Sequence, residues 1–243
     1  MKVIVTGTTG LVGSIVLREC IKNPQITSII AFSRCPLLEE LSDNEKVSVI
    51  THEDFSHYSD ELLDELSGAE ACLWAIGGRA GRFSNVQTAK KVQVEFTLAA
   101  ANAFASKLLP ALDEGKDFKF VFCSAGLAVR DQDTSLWVLQ DTRKLKGLTE
   151  NGLLKIAGDN PRFTPYFMRP AHIHPEYFTV GTAVMNALFP SIRVKELAMV
   201  MVDTALHGND KQTLENADLL QKSRIIQNAD YVKPPNHFSL VTF

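Results

Sequence analysis

Short runs of β-branched and apolar residues alternate with stretches whose apolar positions recur at helical spacing. The runs predict strands over 2–6, 27–32, 46–51, 70–76, 118–123 and 163–168. Of the helical stretches between them the fourth is the clearest, with Val92, Phe96, Ala99, Ala100, Ala103 and Phe104 on one stripe. A later helix is predicted over 194–207, where Val194, Leu197, Ala198, Met201, Val202 and Ala205 share a face. This alternation implies parallel strands joined by right-handed crossovers, with helices on both faces: a doubly wound α/β sheet. The regularity weakens from about residue 171. Residues 171–191 are expected to form a substrate-side cover, and 224–243, with Pro234-Pro235, read as an extended closing tail. We therefore treat 1–243 as a single domain to which 171–243 contribute a small C-terminal extension.

Such sheets bind ligands at the carboxyl ends of their strands, where the strand order reverses. The residues that follow each strand there are Gly7, Ser33, Asp54, Gly77, Ser124 and Pro170. The first of these places is the most informative. Val3-Ile4-Val5-Thr6 runs directly into Gly7-Thr8-Thr9-Gly10-Leu11-Val12-Gly13, followed by a helix with Val12, Ile15, Val16 and Cys20 on one face. A side chain at Gly7 would obstruct the tight turn, and one at Gly10 would hold the backbone away from a pyrophosphate. At Gly13 the missing side chain lets the helix lie against the strand it has left. The helix start supplies unpaired N–H groups and the positive end of its dipole to an anion. Gly7, Thr9, Gly10, Leu11, Val12 and Gly13 are thus candidate dinucleotide contacts.

Composition narrows the partners. The 243 residues carry a net charge of −3 and no long basic run, which argues against nucleic acid and anionic membranes. No stretch approaches the length of a membrane span, and residue 1 leads straight into the first strand, so a cytoplasmic protein is expected. Cys20, Cys35, Cys72 and Cys123 are scattered without metal-type spacing, and no metal site is expected. They read as reduced core thiols, except Cys35 in the loop after the second strand.

That second strand ends in Ser33-Arg34, where an NAD site usually carries an acidic residue. An arginine fork suits a 2′-phosphate, with the serine as a second donor, so NADP(H) is favoured over NAD(H). A solvent-facing arginine is the alternative. Past the third strand, Asp54 is placed to accept from the adenine amino group, beside Phe55, although a solvated loop acid fits the sequence almost as well.

Three further pieces, Ala75-Ile76-Gly77-Gly78, Ser124 and Met168-Arg169-Pro170-Ala171, complete a pattern with the opening glycines. Over residues 1 to about 220 the chain resembles the extended and atypical short-chain dehydrogenase/reductases, especially their small NADP-binding members. The resemblance implies a Rossmann fold, with Ala75, Ile76, Gly77, Pro170, Ala171 and Ile173 among the cofactor contacts. It also implies a serine, a tyrosine and a lysine four residues after the tyrosine. Ser124 matches the serine and Lys146 the lysine, which implies that Lys146 holds the nicotinamide ribose. Thr142 stands at the tyrosine position, and no tyrosine lies between Tyr58 and Tyr166. A threonine hydroxyl titrates far above phenol, at about 10, and a neighbouring ammonium moves a pKa by only a few units. Thr142 therefore reads as a spacer or substrate contact.

His172 and His174 follow Arg169-Pro170, and histidine suits general acid work near neutral pH. Solvated or internally satisfied histidines are the competing reading. Tyr166, within a predicted strand, reads as core, and Tyr177 in the cover is a weaker donor candidate. Arg79 and Arg82 suit cofactor phosphates, an acidic substrate or a solvated loop. Trp137, just before the Lys146 helix, is expected to anchor that helix. These residues support an NADP(H)-dependent oxidoreductase acting on a small organic carbonyl or alkene, as a monomer or homodimer. A non-redox isomerase or cyclase using the dinucleotide as scaffold and a non-enzymatic NADP-binding sensor remain the alternatives.

Overall fold

The computed structural model describes residues 1–176 and 190–232, with side chains through 229. In chain order the main elements are β1 (Lys2–Thr6), α1 (Leu11–Lys22), β2 (Ser28–Ser33), α2 (Glu39–Ser42), β3 (Val47–Thr51) and α3 (Asp60–Leu66). Next come β4 (Ala71–Trp74), α4 (Val86–Lys90), α5 (Phe96–Ala103), β5 (Phe118–Cys123), α6 (Gln140–Asp159) and β6 (Phe163–Arg169). The last are β7 (His172–His174), β8 (Ser191–Arg193), α7 (Val194–His207), β9 (Thr213–Glu215) and α8 (Asn216–Val232). Seven parallel strands form one sheet in the order β3-β2-β1-β4-β5-β6-β9, and β7 pairs with β8 in a small second sheet. This is the doubly wound sheet expected from the sequence, and the order reverses between β1 and β4.

Successive strand residues point to opposite faces, and the composition of each face follows. Ile4, Phe32, Trp74, Phe120, Phe122 and Phe167 enter one core with α3, α5 and α6. Val3, Val5, Ala31, Leu73, Val121 and Met168 enter the other, under α1 and α7. Helix α7 spans 194–207 as predicted, with Val194, Leu197, Ala198, Met201, Val202 and Ala205 all buried.

The fourth helical stretch carries two π turns, Lys91–Glu95 and Phe104–Leu108, on either side of α5. The added residues turn the buried face beyond the predicted stripe, so Gln93 and Thr97 are fully buried as well.

Three expectations are corrected. Residues 224–232 are not an extended tail but the second half of α8. Leu219, Ser223 and Ile226 form its inner stripe, which the polar run Gln221-Lys222-Ser223-Arg224 hides in the sequence. The rest of that tail, 233–243, lies outside the described residues. Strands β7, β8 and β9 were not foreseen, because three residues each carry too little periodicity to register. Trp137 does not anchor α6: it is 98% exposed, beside exposed Val138 and Leu139, with Leu139 in the left-handed region at φ 51°. The predicted cover is described only at its ends, 171–176 and 190–191, and Tyr177 lies outside the described residues.

Candidate active site

The β1–α1 turn has the geometry its glycines require. Gly7 adopts φ 66°, and a Cβ there would lie 2.7 Å from the Ala75 carbonyl oxygen at the exit of β4. At Gly13 a Cβ would lie 2.2 Å from the Gly7 oxygen and 2.6 Å from that of Thr6. Gly10, exposed, would meet only the Gly7 oxygen at 3.2 Å, so its missing side chain keeps the outer surface of the turn open. Gly10 also caps α1 with no side-chain hydrogen bond, and the first turn of α1 contains no acidic residue. The N–H groups and dipole there face no competing anion of the helix's own. Thr9 and Leu11 are exposed beside it and Val12 is half-buried. These features fit a diphosphate.

At the end of β2, Arg34 is exposed and has no polar partner among the described residues. Ser33 requires a correction. Its hydroxyl is buried, donates to the Cys35 carbonyl at 2.8 Å and accepts from the Cys35 N–H at 3.2 Å. Its proton therefore shapes the turn that presents Arg34 and is not available to a phosphate. Asp54 accepts from the Ser56 hydroxyl at 2.6 Å and from its N–H at 3.1 Å, contacts that hold the carboxyl below the usual range. Phe55 is buried among Phe32, His52, Trp74 and Phe96, so only its backbone faces the loop.

The carboxyl ends of β4, β5 and β6 converge on α6. Its buried polar residues Thr142, Lys146, Thr149 and Glu150 recur at helical spacing on one face. Gly147 lets that face approach the chain, since a Cβ there would lie 1.7 Å from the Val129 oxygen. Lys146 donates from Nζ to the Cys123 carbonyl at 2.9 Å and stands 4.6 Å over the Phe122 ring. A Cβ on Gly77 would sit 3.2 Å from the same Nζ, so Lys146 reaches the end of β4 through the absence of that side chain. Burial pushes its ammonium down from the ordinary lysine value.

Gln93, from the first π turn, flanks the same spot, with its Oε1 3.9 Å from that Cβ position. Both polar atoms of its amide are buried without a hydrogen-bond partner among the described residues. Such a group calls for a partner that the protein does not itself supply.

Ser124 and Thr142 are both committed. The Ser124 hydroxyl donates to Glu150 Oε1 at 2.6 Å. Glu150, fully buried, also takes Arg169 at 2.5 and 2.9 Å and Arg130 at 2.8 Å. Burial pushes the Glu150 carboxyl up, but bonds from Arg169 and Ser124 and the two arginine charges outweigh it, and the net direction is down. Thr142 Oγ1 accepts the Ala80 N–H at 2.9 Å, tying α6 to the loop after β4.

In that loop Arg79 Nη2 stands 3.5 Å from Nδ1 of His172. His174 is buried, with Nδ1 3.0 Å from the Pro175 carbonyl oxygen. Pro170 and Ala171 are pinned by Gly126 N–H at 2.6 Å and by Asn216 Oδ1 at 2.9 Å, and Ile173 packs half-buried on the second core. Tyr166 is buried, as expected of a core residue. Among the described residues no group of His, Cys, Asp and Glu is arranged to hold a metal, and no helix is long and apolar enough to cross a membrane.

No family model matches the chain. Structurally it is similar to yeast methylglyoxal/isovaleraldehyde reductase Gre2 complexed with NADPH, at a TM-score of 0.65 and 14% identity, covering 84% of this chain and 74% of that one. It is also similar to a short-chain dehydrogenase/reductase from Saccharomyces cerevisiae, at a TM-score of 0.66 and 12% identity, covering 89% and 96%. The fold is that of the short-chain dehydrogenase/reductases. In sequence, 124 residues are 37% identical to leucinostatins biosynthesis cluster protein T of Purpureocillium lilacinum. The match takes in 51% of this chain and 42% of that protein, so it spans less than half the relative's length.

The sequence pointed to Ser124, Lys146 and the glycine turn and gave Arg169 only as part of a motif, but missed Glu150, Arg130 and Gln93. The polar stripe of α6 was the legible signal for Glu150. For Gln93 there was none, because the π turn decides which way it faces.

Proposed function

We propose that this chain is an NADP(H)-dependent oxidoreductase of the short-chain dehydrogenase/reductase type, acting on a small organic carbonyl or alkene through a degenerate site. The observation that carries the reading is the β1–α1 turn, whose open, acid-free helix start fits a diphosphate, while Arg34, without a polar partner among the described residues, stands at the end of β2. Gly7, Gly10 and Gly13 hold the diphosphate by backbone, Arg34 takes the 2′-phosphate, and Gly77, Lys146 and the Pro170–Ile173 segment hold the nicotinamide end. When bound, the nicotinamide supplies or accepts a hydride. The chain's task is then position and charge. Lys146, wedged between the ends of β4 and β5, presents a buried cation that suits ribose hydroxyls.

Proton transfer departs from the tyrosine-based pattern. The Ser124 hydroxyl donates its hydrogen bond to Glu150, and Thr142 accepts the Ala80 N–H, so neither is poised to give a proton to a substrate oxygen. A positioned acid typically contributes about 10²- to 10⁴-fold in rate, so turnover here is expected to be slow on simple ketones. The same two commitments favour one other reading, a non-redox isomerase or cyclase that keeps the dinucleotide as scaffold. The resemblance of half the chain to a leucinostatins biosynthesis cluster protein supports a biosynthetic substrate in either case. Substrate-dependent NADPH consumption across a panel of aldehydes, ketones and conjugated alkenes tests the proposal. Product formation without nicotinamide turnover selects the scaffold reading, and neither, with NADPH bound, overturns both.

A further inference from the structure

We propose that Arg79 and His172 form the recognition site for a carboxylate group of the substrate, an inference that rests on the dinucleotide-dependent reading above. Arg79 belongs to the loop after β4, and His172 opens β7 just after β6. Because β5 lies between β4 and β6, their 3.5 Å contact spans the carboxyl end of β5, where Ser124 and the Cys123–Lys146 contact lie. The glycine turn is on β1, on the other side of β4. The pair therefore stands one strand beyond the crevice that fits the diphosphate, on the side of Ser124 and Lys146.

Its chemistry is that of an anion receptor. A guanidinium only donates, so the contact makes Nδ1 of His172 the acceptor and leaves the ring proton on Nε2. Neither residue has another polar partner among the described residues. Four guanidinium N–H groups and one imidazole N–H are left with no acceptor among the described residues. Glu150, the buried carboxylate beside Ser124, does not compete: it is fully enclosed, with its oxygens on Ser124, Arg130 and Arg169. A planar fork with an adjacent N–H donor matches the two oxygens of a carboxylate.

The loop is also held in place. The Arg82 N–H donates to the Arg79 carbonyl at 3.0 Å, and buried Ala80 packs with Ala89, Val94 and Leu145. The Ala80 N–H on Thr142 Oγ1 then fixes the residue next to Arg79. Thr142, at the place where a tyrosine was expected, is thereby a positioning residue for this receptor.

Calorimetric titration of acetate, benzoate and succinate, with their neutral amides as controls, into the NADPH complex and the free protein tests the assignment. At least one carboxylate should bind with at least about tenfold preference over its amide. Arg79→Gln should weaken that binding by about tenfold or more while NADPH affinity changes less than about threefold. His172→Phe should weaken it too. Thr142→Val should lower carboxylate affinity while NADPH affinity changes less than about threefold, and Thr142→Ser should restore it; a merely structural role would lower both affinities together. No binding by any carboxylate, or binding unchanged in Arg79→Gln, overturns the proposal. So does a loss of NADPH affinity of about tenfold or more in Arg79→Gln, which would assign the arginine to the cofactor's phosphates. A wild-type protein that binds no NADPH but binds carboxylates through Arg79 would instead overturn the reductase reading alone.

Discussion

Replacing Glu150 with glutamine removes the charge at the centre of the polar network while keeping its bulk. The wild-type carboxylate is fully enclosed, with Ser124 at 2.6 Å, Arg169 at 2.5 and 2.9 Å and Arg130 at 2.8 Å. Deleting one member of a buried ion pair costs about 3–5 kcal/mol, because the partner charge stays behind unpaired. Two features reduce the loss here. The Arg130 side chain is 35% exposed, and Arg169 also holds Glu215 at 2.8 Å, so solvent and a second carboxylate screen what remains. Glutamine also keeps an acceptor oxygen, and one hydrogen bond to a charged group contributes about 1.5–3 kcal/mol. Glu150→Gln is therefore expected to lose about 2–3 kcal/mol, a large part of the roughly 5–15 kcal/mol that holds a domain folded.

Urea unfolding followed by circular dichroism measures this loss from the midpoint shift at constant slope. Acid supplies an independent check. The folded carboxyl titrates below its unfolded value, so its stabilisation is complete above about pH 4.3 and disappears as pH falls through the lower folded value. The gap between wild type and variant should narrow in that window. An unchanged midpoint at neutral pH, or a gap that persists undiminished into acid, refutes the network as described.

Four other outcomes are expected. Arg34→Asp should weaken NADPH binding by about tenfold or more and leave NADH binding nearly unchanged, as calorimetry would show; equal losses contradict the 2′-phosphate assignment. Gly13→Ala places a methyl 2.2 Å from the backbone oxygen of Gly7, which cannot swing aside, so thermal or urea unfolding should show a loss of about 3 kcal/mol. Thr142→Val leaves the Ala80 N–H buried without a partner and should cost about 1–3 kcal/mol in the same assay, with no change a sign that the clamp is unimportant. Gly77→Ala meets both φ 141° and the Lys146 amine, and should lower stability by about 1–3 kcal/mol and weaken dinucleotide binding.

The sheet was readable because it depends on period. Apolar runs such as Ile29-Ile30-Ala31-Phe32 and the face of 194–207 carry their burial in their spacing, and the glycine turn carries its backbone in its residue type. The polar site was harder to read because its roles come from pairing across distant segments. Ser124, 26 residues from Glu150, looks like a donor to substrate until that carboxylate accepts its hydrogen bond. Ser33 looks like a phosphate ligand until its own turn claims the hydroxyl. Thr142 was recognised as an unsuitable acid, but its bond to Ala80 depends on how the loop after β4 folds back on α6. Trp137 shows the opposite error: a large apolar side chain suggests an anchor, yet it stands 98% exposed.

Direct titration of NADPH and NADH into the purified protein tests the central claim most simply. The account predicts saturable binding of both dinucleotides, tighter for the phosphorylated one and abolished for both by Gly10→Glu, which puts a carboxylate where the diphosphate belongs. Failure of either nucleotide to bind the wild type, or undiminished binding by Gly10→Glu, contradicts it.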